Sequence, residues 1–128
     1  MHRSSLPACC LRLGVLYLLI GLALGTVMGM KQDFAFRDVH AHVNLLGFVS
    51  TFLVGLFLNA YPSTLGSRLT HVGVWIILIS VPLMLLFLTI YFFGVPVMGP
   101  FLGIASLATI VGYVLFAIAV FQATGRET

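Results

Sequence analysis

The run Leu13-Gly14-Val15-Leu16-Tyr17-Leu18-Leu19-Ile20-Gly21-Leu22-Ala23-Leu24-Gly25-Thr26-Val27-Met28-Gly29-Met30 carries no charge over 18 residues, and Arg12 and Lys31 bracket it. At 1.5 Å rise per residue such a run comes close to crossing a hydrocarbon core of roughly 30 Å. The spacing predicts a first membrane-spanning helix over about 11–30. The rest of the chain repeats the pattern. Of its 128 residues, 61% are hydrophobic and only 7% charged, whereas an average soluble domain is about a quarter charged. That balance excludes a water-soluble monomer, and a net charge of only +3 gives no basic surface for nucleic acid.

The charged side chains, Arg3, Arg12, Lys31, Asp33, Arg37, Asp38, Arg68, Arg126 and Glu127, act as punctuation. No charge falls between Asp38 and Arg68, and the apolar part ends at Tyr61-Pro62-Ser63, which predicts a second helix over about 39–60. The uncharged stretch after Arg68 is long enough for two spans. Its natural break is Gly94-Val95-Pro96-Val97-Met98-Gly99-Pro100, where prolines and glycines together favour a turn. Helices over about 71–93 and 101–122 follow. The expected fold class is therefore an all-α membrane protein, a single four-transmembrane-helix up-down bundle. The first helix is read as a retained span, since it is long for a signal peptide and its removal would leave three helices. Cys9-Cys10 precede the apolar run, so they do not form a lipoprotein site; their juxtamembrane position leaves a structural or acylated role open.

Lys and Arg at helix ends place Arg3, Arg12, Arg68 and Arg126 on one side of the membrane and Lys31 and Arg37 on the other. The positive-inside rule puts both termini in the cytoplasm, in a bacterium at the inner membrane. The loop 31–38 and the turn 94–100 then face outside. Gly21, Gly25 and Gly29 form a small-xxx-small stripe that permits close helix approach, within the chain or between copies, and Ala108 with Gly112 is a weaker version. Pro82 should kink the third helix.

Chemistry concentrates in Phe34-Ala35-Phe36-Arg37-Asp38-Val39-His40-Ala41-His42-Val43-Asn44-Leu45-Leu46-Gly47-Phe48. Asp38 is the expected N-cap. At 100° per residue His40 shares a face with Asn44, Gly47, Thr51 and Gly55, while His42 points nearly opposite with Leu46, Val49 and Leu53. A regular helix therefore does not deliver both imidazoles to one metal atom. An interfacial histidine is often only an amphipathic residue, and His71 is read that way. Two histidines and an asparagine beside hydrocarbon are costly to keep, which favours a use for His40 and His42. The outer level also offers Met28, Met30 and Met98, whose thioethers can ligate haem iron or Cu(I). His71 starts the third helix at the other face of the bilayer, roughly 30 Å away, which removes a haem shared by His42 and His71 of one chain.

The run His42-Val43-Asn44-Leu45-Leu46-Gly47-Phe48 resembles the second transmembrane helix of the haem-copper oxidase catalytic subunit, and is most similar to the nitric oxide reductase and cbb3-type branches. The resemblance covers about the first 60 residues. It implies His42 as an axial ligand of a low-spin haem b, with His40 as ligand in a competing register set by Arg37. Helices bearing the second haem's ligand and the copper histidines have no counterpart, so the resemblance implies no complete oxidase or reductase, and whether any turnover occurs is open. The second axial ligand would come from Met98, Met28, Met30 or a symmetry mate's His42, and Arg37 and Lys31 are the cations available to propionates.

The expected function is a small haem b-binding membrane protein acting in respiratory electron transfer or its support. The alternative is a non-catalytic accessory or assembly protein that handles copper or haem. The expected partners are the lipid bilayer, a second copy of the chain in a homo-oligomer, and a respiratory-complex subunit or redox partner. A transporter is disfavoured, because the polar line of His40, Asn44, Ser50 and Thr51 is too sparse for an aqueous path.

Overall fold

The charge punctuation and the observed helix ends agree to within a turn or two. The computed structural model describes residues 5–126, so Arg3 and Glu127, which enter the charge pattern, lie outside it. Helix α1 spans Leu6–Lys31. It begins earlier than the charge count suggests because Pro7 sits in its first turn, where a missing N–H costs nothing. It closes on Gln32, whose left-handed backbone (φ 52°) returns its N–H to the Gly29 and Met28 carbonyls. Cys9 and Cys10 thus belong to the helix itself, Cys9 exposed and Cys10 buried.

Helix α2 spans Arg37–Ala60. Phe36 stands at its N-cap without a side-chain bond, so Asp38 is not the cap. Asp38 lies in the first turn, where a carboxylate still complements the positive end of the helix. The nearby Asp33 carboxylate instead accepts from the Ala35 N–H at 3.1 Å. The middle of α2, Val43–Ser50, is π-helical, which sequence periodicity did not suggest. A short 3-10 turn, Pro62–Gly66, leads to α3 at Arg68–Phe92, in which Pro82 sits in the interior. The expected break follows, with Gly94 at φ +91° and a 3-10 turn over Pro96–Met98. Helix α4 spans Gly99–Gly125. All four helices are long and apolar enough to cross a membrane, and the described residues contain no strand.

Glycines decide how the helices pair. A Cβ on Gly21 would collide with the Asn44 carboxamide, one on Gly25 would fall 2.6 Å from the His40 ring, and one on Gly47 would fall 2.8 Å from the Tyr17 ring. Gly14 faces Phe52 and Gly55 faces Leu11 in the same way, so α1 and α2 run antiparallel in close contact. The stripe of α1 is therefore filled at Gly21 and Gly25 by the chain's own second helix, and only Gly29 opens to free space. Gly29 is thus the one glycine of the stripe without a neighbour inside the chain. In the other antiparallel pair, a Cβ on Gly112 of α4 would lie 3.2 Å from the Gly73 carbonyl of α3.

The two hairpins meet in two apolar layers. One joins Tyr17, Val39 and Val43 to Ile77, Val81, Met84, Leu85 and Ala105. The other joins Leu6, Cys10, Val54 and Leu58 to Val74 and Leu78. The rings of Phe36 and Phe93, tilted at 55° with centroids 4.9 Å apart, bring the start of α2 to the end of α3.

These contacts make two glycines of one stripe behave differently. Gly25→Leu should lower the thermal midpoint of the detergent-purified protein by the equivalent of about 1–3 kcal/mol, the usual cost of overpacking. Gly29→Leu should change stability by less than about 0.5 kcal/mol, as at an open surface position. Equal midpoints for wild type and Gly25→Leu would contradict the contact.

Candidate functional site

Polar side chains of α2 emerge on two sides. The His40 ring lies in the cleft that Gly21 and Gly25 leave in α1. Its Nδ1–H donates to the Gly21 carbonyl at 3.0 Å, and a carbonyl can only accept, so the bond fixes the tautomer. The Asn44 amide nitrogen stands 3.3 Å from both ring nitrogens, and Nε2 is the one left to accept from it. Both nitrogens of His40 are thereby engaged within the chain. His40 holds two helices together.

His42 faces outward, as the 100° spacing predicted, and is exposed. Its Nδ1–H donates to the Asp38 carbonyl one turn back at 2.7 Å. This is the arrangement found behind a ligating imidazole: one nitrogen is fixed to a backbone carbonyl and Nε2 is left as the donor atom. The carbonyl comes from its own helix, and neither a neighbouring helix nor the turn 94–100 is needed. His42 opens a groove of about 520 Å³ that runs between α2 and α4. Leu46, Met84, Thr109, Ile110 and Tyr113 line it further along.

The groove brings to His42 a thioether that the sequence pattern did not single out. Met84 of α3 lines it, whereas Met98 lies in the turn between α3 and α4 and takes no part. Met28 is buried in α1 and Met30 is 80% exposed. Met84 was hidden because it is one apolar residue within a long apolar helix, and only the packing of α3 behind α2 places it in the same groove as the histidine. Arg37 and Asp38 form a loose, exposed ion pair with Nε and Oδ1 3.9 Å apart. Such a pair is worth about 0–1 kcal/mol, so Arg37 remains free to turn to an anion.

The π-helical segment lies directly after His42. The Ser50 and Thr51 hydroxyls donate to the Leu45 and Leu46 carbonyls, each five residues back, at 2.9 and 3.3 Å. Single π turns inside α-helices are frequent at functional sites. Two buried oxygens near this segment, Tyr17 Oη and Asn44 Oδ1, have no hydrogen-bond partner among the described residues. No cluster of three or more His, Cys, Asp or Glu suited to a metal occurs among the described residues. His71 stands apart at the start of α3, its Nε2–H donating to the Leu65 carbonyl at 2.7 Å. No protein-family model matches the chain, and no curated protein or solved structure shows significant similarity to it.

The two histidines should separate in a stability measurement. His40→Ala removes an interhelical bond and leaves a gap under Gly25, and should cost about 1–3 kcal/mol. His42→Ala alters an exposed side chain and should fall within about 0.5 kcal/mol of wild type. Chemical denaturation in mixed micelles compares them directly; a larger loss for His42→Ala would reverse the assignment.

Proposed function

We propose that this chain is an integral membrane protein, a four-helix up-down bundle with both termini cytoplasmic in a bacterial inner membrane, and that it binds haem b through His42 in respiratory electron transfer or its support. The observation that carries the reading is the His42 imidazole, pinned through Nδ1 to the Asp38 carbonyl at the mouth of a groove that also holds a thioether. The resemblance of His42-Val43-Asn44-Leu45-Leu46 to the haem-bearing second helix of the oxidase catalytic subunit points to the same residue.

The residues fit the group. The groove walls are largely apolar, as a porphyrin ring requires, and its volume of about 520 Å³ lies within the roughly 300–1,000 Å³ usual for cofactor and ligand pockets. His42 supplies the axial nitrogen, and Met84 is the thioether within the same groove. His–Met ligation raises a haem potential relative to a bis-histidine pair. Arg37, near the end of α2 where His42 lies, is placed to meet anionic propionates. When bound, the haem supplies a one-electron redox centre. The chain's own contribution is to hold the imidazole in one tautomer and to exclude water with apolar walls.

A second reading rests on the same donor pair. One imidazole and one thioether are a soft donor set suited to Cu(I), which would make the chain a copper-handling accessory protein. The two readings part on one spectrum. Protein purified from haem-replete cells should show a reduced-haem absorption band after dithionite, abolished by His42→Ala and unchanged by His71→Ala. Met84→Ala should retain haem with a shifted band or potential. Absence of the band in wild type, or its full retention in His42→Ala, would overturn the haem role.

Topology is tested separately. In a background lacking Cys9 and Cys10, a cysteine placed at Gln32 should react with a membrane-impermeant reagent in intact cells, while tags at either terminus stay protected. The inverse labelling pattern would move the site to the cytoplasmic side.

A further inference from the structure

The molecule has a larger recess than the one beside His42. It lies between α3 and α4, holds about 700 Å³, and is almost entirely apolar. One stripe of α3 forms its length: Arg68, Val72, Trp75, Ile79, Leu83 and Phe87, spaced by three and four residues so that they share a face. Ala105 and Ala108 of α4 lower its floor, and the Phe87 and Phe101 rings, 6.1 Å apart, stand at its far end.

Its charged and ionisable lining is confined to the other end, where Arg68 and His71 lie, and Ser80 is the one other polar side chain in its wall. His71 is held there by its bond to the Leu65 carbonyl. Arg68 takes part in no ion pair among the described residues, since the pair formed there is Arg37 with Asp38. Arg68 is also the first residue of α3, where the unpaired backbone N–H groups of a helix start add positive potential. A second arginine, Arg126, lines a small polar pocket at the same end with Ser67 and Thr70. An apolar trough that ends in cations with no ion-pair partner among the described residues matches one chemistry: a fatty acyl chain carrying an anionic headgroup. Basic pockets between transmembrane helices are a recognised means of binding acidic lipids.

We propose that the α3–α4 groove is a specific site for one anionic phospholipid of the leaflet at the Arg68 end, with its phosphate on Arg68 and an acyl chain along the α3 stripe. A second copy of the chain fits less well. Asp33 and Asp38, the acidic side chains among the described residues, lie at the opposite end of the helices, so a copy in the same orientation brings neither carboxylate to Arg68. Zwitterionic lipids carry their own cation to the same place, where Arg68 disfavours it. The site is independent of the haem reading, because it shares neither His42 nor Met84.

The chain carries a reporter. Trp75 is its single tryptophan and sits in the groove wall, half exposed. Purified protein is reconstituted in phosphatidylcholine bilayers containing dibrominated phosphatidylglycerol or, at matched mole fraction, dibrominated phosphatidylcholine, and Trp75 fluorescence is read. The anionic quencher should show an apparent preference of about fivefold, the order expected of one basic side chain facing an anionic headgroup. Arg68→Gln should bring the preference to unity, while Arg68→Lys and the remote Arg12→Gln should preserve it. Equal quenching of the wild type by both lipids would overturn the proposal, as would a preference that survives Arg68→Gln.

Discussion

Everything else in the molecule hangs on the imidazole of His40 lodged in the glycine cleft of α1. Its bond to the Gly21 carbonyl crosses between helices in a region with few other polar contacts. That contact fixes both the separation of α1 and α2 and the rotation of α2 about its axis. Two residues on, a rotation of about 200° sends His42 away from α1 and onto the groove beside α4. The histidine between the helices therefore aims the exposed one, and their positions could not be exchanged without turning the helix over.

The π-helical segment belongs to the same constraint. From His40 to Gly55 a regular α-helix at 3.6 residues per turn would drift about 60° beyond four full turns, toward the edge of the face that meets α1. A wider turn over Val43–Ser50 lowers the rotation per residue, and Gly55 still faces Leu11 and Cys10. The Ser50 and Thr51 hydroxyls secure the altered ladder by bonding carbonyls five residues back. Both ends of α2 stay against α1 as a result.

Helix number was legible because charge is so scarce that each Lys, Arg or Asp marks an interface; the Gly94–Pro100 break was legible for the matching reason that the turn residues sit together in an apolar run. The opposition of His40 and His42 followed from helical periodicity alone. What sequence left open was tertiary. Gly21 and Gly25 announce a close contact without naming the partner, and only the fold shows that Asn44 and His40 occupy the space. Gly73 sits in α3 without a repeat spacing to mark it, although it meets Gly112 backbone to backbone. Met84 could not be told from its apolar neighbours until α3 was placed behind α2. The π turn had a faint sign in the adjacent hydroxyls of Ser50 and Thr51, which apolar patterning passes over.

The placement of the two grooves follows from how α3 and α4 touch. Ser80 lines the recess that ends at Arg68, Thr109 lines the recess that begins at His42, and their hydroxyls meet 3.0 Å apart. Thr109 also donates to the Ala105 carbonyl at 2.9 Å, and Ala105 forms part of the floor on the Arg68 side. One buried hydroxyl pair is thus the partition between two apolar recesses. The pair resists opening, because separating the hydroxyls would leave that of Ser80 without a partner while Thr109 keeps its bond to Ala105. Gly73 and Gly112 set the helix spacing about two turns away along α3, so the partition has little freedom to widen. Each recess can then be filled without opening into the other, and an occupant on one face of the α3–α4 pair leaves the apolar walls beside His42 on the other undisturbed.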